Sequence, residues 1–82
     1  MKEPTVIGID LAKDIFLIHG ANKEGRCVLS ERLRRDKVLN YMANQPRCVV
    51  AMEACGGAHY WARAIKKFGH EVRIISPQFV KP

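Results

Sequence analysis

The first apolar run of the chain, residues 5–10, places the strongest constraint on the fold, because it joins strand-forming residues to a carboxylate. Val6, Ile7 and Ile9 are β-branched, and nearly every position is apolar, which is typical of a strand buried on both faces of a sheet. Asp10 closes this run, and an acid inside a core needs a partner. The fold therefore has to bring a second group to Asp10.

The composition predicts one folded domain, residues 1–82, with a modest core. Of the 82 residues, 48% are hydrophobic and 27% are charged, and a chain of this length buries about 60–65% of its unfolded surface. No apolar run reaches the roughly 18 residues of a membrane span, and the N-terminus lacks the apolar core of a signal peptide. We expect a cytoplasmic protein that contacts no membrane.

The charge points to a polyanionic partner. Fourteen Lys and Arg residues against eight Asp and Glu residues give a net charge of +6, and nucleic acid is the commonest partner of such a surface. Cys27, Cys48 and Cys55 form no CxxC pair, which argues against a structural zinc site and a disulfide framework. DNA is therefore the first partner to consider.

The next segments complete a meander of antiparallel strands. Residues 15–21 are apolar, residues 22–25 (NKEG) form a turn, and residues 26–32 alternate between apolar and polar side chains. The alternation places on one face of this third strand the side chains of Cys27, Leu29 and Glu31.

The hydrophobic period then becomes helical. Asp36 is in position to cap a first helix, whose apolar face carries Val38, Leu39 and Met42 and which ends at Pro46. Residues 48–53 (CVVAME) predict a second buried strand. A second helix follows two glycines, and residues 71–76 predict a last strand, which Pro77 ends. The apolar stripe and the terminal glycine of the second helix are Trp61, Ile65, Phe68 and Gly69.

The predicted element order is β-β-β-α-β-α-β, an α/β fold. Hairpins pair the first three strands, and right-handed crossovers add the last two in parallel, so the expected strand order of the mixed sheet is 3-2-1-4-5. By analogy, this is the pattern of the ribonuclease H-like fold.

In this topology Asp10 and Glu53 stand late in neighbouring parallel strands, so their carboxylates are expected to converge where α/β sheets bind ligands. Adjacent carboxylates repel each other, and a divalent cation, best Mg²⁺, relieves the repulsion. Two such ions about 3.5–4 Å apart support phosphodiester chemistry. The alternative interpretation makes Asp10 an acid of a turn and Glu53 a cap of the following helix.

Two segments, GIDLAKD and VVAMEACGGAHYWARAIKKFGHEVRIISP, resemble the N-terminal region of the DEDD transposases of insertion sequences. That family includes the Piv DNA invertase, and its catalytic domain is similar to the RuvC Holliday-junction resolvase. The resemblance spans nearly the whole chain. It implies a ribonuclease H-like fold and Mg²⁺- or Mn²⁺-dependent DNA cleavage and strand transfer, with the family's first Asp at Asp10 and its Glu at Glu53. Cys55 stands where many relatives carry a hydroxyl residue.

The chain departs from the family pattern in its length. The family's two remaining Asp residues and its serine-bearing C-terminal domain have no counterpart after Ser76. We therefore expect a truncated version of the catalytic domain that is inactive alone. The resemblance also implies an oligomer for the full-length protein, and RNA as a second partner of some relatives.

Basic residues supply the candidate nucleic-acid contacts. Lys13 adjoins the proposed metal edge, where an ammonium group can contact the scissile phosphate as a point charge, although a solvated turn lysine is an equal alternative. The other candidates would contact phosphates without base specificity, and each is otherwise a solvated surface residue. They are Arg34, Arg35, Lys37, Arg63, Lys66 and Lys67.

Other polar residues fit a metal site less well. Glu71 begins its strand and is therefore expected at the opposite edge of the sheet, and Asp14 is expected in solvent. His19, His59 and His70 have no spacing typical of a metal site. Trp61 belongs to the core by its helical register.

Two other functions stay open. Actin-type and sugar-kinase-type nucleotide-binding domains also begin with a GID-like strand, but they need a phosphate loop rich in glycine and hydroxyl residues, which residues 11–14 (LAKD) lack. A non-catalytic basic module that contacts DNA is the second alternative.

Overall fold

The computed structural model describes residues 4–76, which form a five-stranded mixed sheet with two α-helices. The predicted strand order 3-2-1-4-5 is confirmed, with an antiparallel meander on one side and parallel strands on the other. Pro77, the predicted end of the last strand, lies outside the described residues. The elements are β1 (Val6–Asp10), β2 (Ile15–Ala21), β3 (Cys27–Arg34), a 3₁₀ turn (Arg35–Lys37), α1 (Val38–Ala43), β4 (Val49–Glu53), α2 (Ala58–Lys66) and β5 (Glu71–Ile75).

Both helices pack against one face of the sheet. Ile7 and Ile9 of β1 belong to the same buried cluster as Met42 of α1 and Ile65 of α2. Trp61 of α2 also lies in this cluster, and burial of a large apolar side chain contributes about 1.5–3 kcal/mol to folding. This one-sided core is the main source of stability in the described part of the chain.

The opposite face of the sheet is open within residues 4–76. In β1 and β4 alternate residues are buried, and the side chains between them point away from the helices. Val6, for example, is 42% exposed. The prediction that β1 and β4 are buried on both faces is therefore wrong for the described residues, because the helices cover only one face. We refer to the uncovered side as the open face.

The start of α1 differs from the prediction. Asp36 lies within the 3₁₀ turn, no side chain caps α1, and the Asp36 carboxylate instead lies 3.9 Å from the exposed guanidinium of Arg34. A tighter turn thus occupies the positions where a cap would stand. Val38 and Met42 are buried as expected, and α1 ends at Ala43, before Pro46.

The end of α2 and the start of β3 also differ. Phe68 is not a core residue of α2, because the helix ends at Lys66 and Phe68 is 37% exposed. Gly69 follows with φ +96°, as a terminating glycine should.

In β3 the pairing register shifts so that Ala21 pairs with Cys27 and Gly20 with Leu29. This bulge puts Cys27 out of alternation with Leu29, contrary to the prediction.

His70 joins α1 to the beginning of β4 and β5. Its side chain is buried, with Nε2 2.8 Å from the carbonyl oxygen of Met42 and Nδ1 3.3 Å from the backbone nitrogen of Cys48. A backbone N–H can only donate, so Nδ1 accepts that bond and Nε2 donates to Met42. Burial raises the pKa of the Cys48 thiol, which keeps this neighbour protonated near neutral pH.

We expect His70→Ala to lower the free energy of unfolding by about 1–3 kcal/mol, because it leaves the Met42 carbonyl and the Cys48 N–H without partners. His59→Ala is the matched control, since His59 is exposed on α2 and its loss should change stability by no more than about 0.5 kcal/mol. Urea denaturation of both variants checks this. Equal losses in the two variants would show that the His70 contacts do not stabilise the fold.

Candidate metal and nucleic-acid site

Asp10 and Glu53 end neighbouring parallel strands at the same level. The register of β1 against β4 runs from Val6 opposite Val49 to Ile9 opposite Met52, and each acid follows the last residue of this register. Ile9 and Met52 point into the core, so the next residue of each strand points to the open face. With neighbouring strands about 4.8 Å apart, the two acidic residues lie side by side on the open face.

The two acids share a shallow depression of about 400 Å³ on the open face. Its floor is formed by small and apolar residues, including Gly8 and Ala51, and His19 lies on its wall. Asp10 and Glu53 are both exposed. Asp10 thus lies at the carboxyl end of its strand and outside the core, as expected, and no layer covers this face within residues 4–76.

The donor set fits a hard, oxygen-seeking cation. The ion pairs among residues 4–76 join Arg34 to Asp36 and Arg73 to Glu71, and neither uses Asp10 or Glu53. No cluster of three or more His, Cys, Asp or Glu side chains in the described part of the chain could hold a metal ion. Two carboxylates with water completing an octahedron suit Mg²⁺, but they fill only a minority of its coordination positions.

The helix-cap interpretation of Glu53 is wrong. The N-cap residue of α2 is Gly57, and no side chain makes a capping hydrogen bond there. Glu53 therefore does not stabilise the following helix by capping it, which leaves its carboxylate available at the sheet edge.

Lys13, Arg34 and Arg35 lie at the same edge of the sheet as the two carboxylates. The backbone N–H of Arg35 donates to the carbonyl of Asp14 (2.9 Å), which fixes the end of β3 beside the β1–β2 turn. The guanidinium carbon of Arg35 lies 5.8 Å from the ring centre of Trp61, a cation–π distance. Lys13 and Arg35 line one groove together.

The basic residues of the second helix lie elsewhere. Arg63, Lys66 and Lys67 are exposed, but α2 leads from the end of β4 back to the level of Glu71, which pairs with the beginning of β4. Nine helical residues cover about 13 Å along this path. Lys37 is exposed in the 3₁₀ turn. The structure therefore gathers Lys13, Arg34 and Arg35 at one end of the strands and leaves Arg63, Lys66 and Lys67 apart from them, whereas Lys37 lies in the same 3₁₀ turn as Arg35.

The remaining expectations concern single residues. Glu71 lies at the opposite edge of the sheet, as predicted, and its carboxylate accepts hydrogen bonds from Arg73 at 2.6 and 2.9 Å. Asp14 is exposed, as expected. Trp61 is 5% exposed and belongs to the core, which confirms its assignment.

Two residues near this site were not predicted from the sequence to belong to it. His19 pairs with Gly8 across β1 and β2, so the register of the hairpin, once known, places it on the face of Asp10. Tyr60 is 54% exposed beside Trp61. Its position directly before a buried helical residue was the one sequence signal of its exposure. Neither residue has a sequence spacing typical of a metal or catalytic site.

We expect Mn²⁺, in a titration followed by paramagnetic broadening of amide signals, to bind weakly and to broaden signals around Asp10 and Glu53 first, because two carboxylates leave most ligands to water. Asp10→Asn should remove the effect, whereas Asp14→Asn, the matched control in the adjacent turn, should retain it. Broadening centred on Glu71 or the histidines would place the cation elsewhere.

Similarity to known proteins extends over most or all of the chain. The chain is 51% identical over 93% of its length to a probable family 20 transposase of Pseudomonas aeruginosa. It is 49% and 38% identical over its whole length to the transposases for insertion sequence elements IS1328 of Yersinia enterocolitica and IS1111A of Coxiella burnetii. No family model matches the chain.

The chain spans only a quarter or less of these relatives, 22%, 25% and 22% of their respective lengths. No helix among residues 4–76 is long and apolar enough to cross a membrane. The chain is therefore similar to one part of insertion-sequence transposases.

Proposed function

We propose that the chain is part of the DNA-cleaving domain of an insertion-sequence transposase of DEDD type, with a RuvC-like, ribonuclease H-like fold. One observation carries the proposal: Asp10 and Glu53 end adjacent parallel strands and line one depression on the open face. The similarity to named transposases over 93–100% of the chain supports the same function.

Asp10 and Glu53 hold divalent cations at this edge through their carboxylate oxygens. At these two residues Mg²⁺ or Mn²⁺ would supply activation of a water or hydroxyl nucleophile and stabilisation of the leaving oxygen of the phosphodiester. Lys13 follows Asp10 in the β1–β2 turn, and its ammonium group offsets the charge of a phosphate brought to the pair. The exposure of both acids leaves room for that phosphate.

The remaining metal ligands come from a part of the transposase outside residues 4–76. Two carboxylates cannot fix two cations, because Mg²⁺ takes six ligands in near-ideal geometry. The open face beside Asp10 and Glu53 gives a later segment a place to pack, since Val6, Ala51 and Ile75 lie on it and are at least partly exposed. The family resemblance assigns two further Asp residues to such a segment.

DNA contacts at this site are to the phosphate backbone. Arg34 and Arg35 stand at the end of β3 beside the turn that carries Lys13, so a strand that reaches the carboxylates passes these three cations. Such contacts position DNA and carry no base specificity. Arg63, Lys66 and Lys67 would make a second, weaker set of phosphate contacts, because they lie toward the far end of α2, away from the two carboxylates.

The 82-residue chain alone should bind duplex DNA in a salt-dependent manner and should not nick it with Mg²⁺. Neutralising Lys13, Arg34 and Arg35 together should reduce the salt slope of the binding constant by about 2–3, because each phosphate contact contributes about 0.9. Neutralising Arg63, Lys66 and Lys67 is the matched control and should have the smaller effect. Fluorescence anisotropy across a salt series and a nicking assay measure both.

Metal-dependent nicking by this chain, if Asp10→Asn abolished it, would contradict the proposal that the ligand set is incomplete. If the chain binds DNA without nicking it and the binding constant does not change with salt, the proposed phosphate contacts are wrong. Salt-dependent binding without any metal effect at Asp10 would favour the non-catalytic basic module.

The proposed role in catalysis is tested in a chimera, in which this chain replaces the matching segment of a longer relative. We expect a Yersinia IS1328 transposase whose matching segment is replaced by this chain to retain strand cleavage, because 49% of the positions are already identical. Asp10→Asn or Glu53→Gln in the chimera should lower cleavage by at least about 100-fold, since a lost ligand displaces the cation. Asp14→Asn is the control. A cleaving chimera that tolerates Asp10→Asn would rule out the metal role.

A further inference from the structure

Tyr60 presents an aromatic ring to solvent beside the proposed DNA contacts. It is 54% exposed, and its ring lies edge-on to the buried ring of Trp61, with centroids 5.4 Å apart and planes at 89°. Trp61 in turn packs edge-on against buried Phe16, with centroids 4.9 Å apart. The core thus supports Tyr60 from one side and leaves part of the ring uncovered.

A cleft of about 820 Å³ opens between Tyr60 and the end of β3. Arg34 and Arg35 stand on its wall with Asp36 and Asp14. The exposed Arg34–Asp36 contact is long, at 3.9 Å, and such surface pairs hold each other weakly. The Arg34 guanidinium therefore remains available for a phosphate. The Arg35 guanidinium lies over the Trp61 ring on the wall of the same cleft, whose volume suits a ligand of small-molecule size.

A second groove lies next to the cleft. The neighbouring groove, lined by Lys13 and by the two residues that follow Asp10, shares Arg35 and Trp61 with the cleft. Lys13, Arg35 and Arg34 therefore line two neighbouring grooves between the β1–β2 turn and Tyr60, and Asp14 and Asp36 line the second of these together with the two arginines.

We propose that this cleft binds an unpaired nucleotide of a DNA strand, with its base stacked on Tyr60 and its flanking phosphates on Arg34 and Arg35. The assignment to DNA, and not to another polyanion, rests on the proposed function. Paired bases cover their faces on each other, so an exposed ring beside basic residues favours a single strand over a duplex. The cleft thus receives single-stranded DNA.

The test compares Tyr60→Leu with Tyr60→Phe in the 82-residue chain. The probes are a fluorescein-labelled thymidine homopolymer, a duplex of the same length, and a uridine homopolymer, each measured by anisotropy at constant salt. Tyr60→Leu should weaken binding of the thymidine strand about tenfold, because base–aromatic stacking is lost, and should leave duplex binding within about twofold. Tyr60→Phe keeps the ring and should bind like the unchanged chain. Thermal melting of each variant establishes that it is folded.

A second readout reports stacking itself. A strand with one 2-aminopurine should lose fluorescence on binding the unchanged chain and Tyr60→Phe, but not Tyr60→Leu. Equal losses of single-strand and duplex affinity in folded Tyr60→Leu, or no loss in either, would overturn the proposal. Tighter binding of the uridine strand would overturn the assignment to DNA.

Asp10→Asn separates this proposal from the proposed function. It removes a metal ligand but leaves the cleft unchanged, so single-strand affinity should stay the same or rise slightly. If Mn²⁺ fails to bind near Asp10 while Tyr60→Leu still weakens single-strand binding, the metal site is wrong and the stacking cleft stands. If Mn²⁺ binds near Asp10 but Tyr60→Leu does not weaken single-strand binding, the metal site stands and the stacking cleft is wrong.

Discussion

The parallel pairing of β1 with β4 is the interaction on which the rest of the structure depends. Its register sets Ile9 opposite Met52, so the two core residues and the two acids that follow them are matched in level and in face. A shift of one residue in either strand would put one acid in the core and the other in solvent. Burial of Ile7, Ile9, Val50 and Met52 under the helices therefore also aligns Asp10 with Glu53.

The one-sided core gives the sheet two different surfaces. On the covered face, the apolar residues of α1 and α2 pack against those of β1, β2 and β4 and exclude water. On the open face, the same strands present acids, small residues and His19 around a shallow depression. The covered face of the strands thus stabilises the fold, and the open face of the same strands bears the proposed metal site. Asp10 and Glu53 can therefore be substituted without removing a core contact.

The sequence predicted the strand order because short hairpins and right-handed crossovers leave few topologies. It also predicted the edge at which Asp10 and Glu53 meet. It failed where tertiary contacts decide: the 3₁₀ turn displaced Asp36 from its capping position, a bulge altered the facing of Cys27, and the early end of α2 exposed Phe68. Apolar runs with no polar alternation predicted two covered faces, whereas residues 4–76 cover one. Tyr60 was not predicted because its exposure depends on how Trp61 enters the core.

The most direct test of the shared cation site is anomalous diffraction from crystals of the chain soaked with Mn²⁺. We expect a peak between Asp10 and Glu53, with carboxylate oxygens of both residues at direct-coordination distance, about 2.1 Å for an ion of the size of Mg²⁺. Crystals of Asp10→Asn should lack it. A peak coordinated by only one of the two carboxylates, or one located on Glu71 or a histidine, would contradict the account.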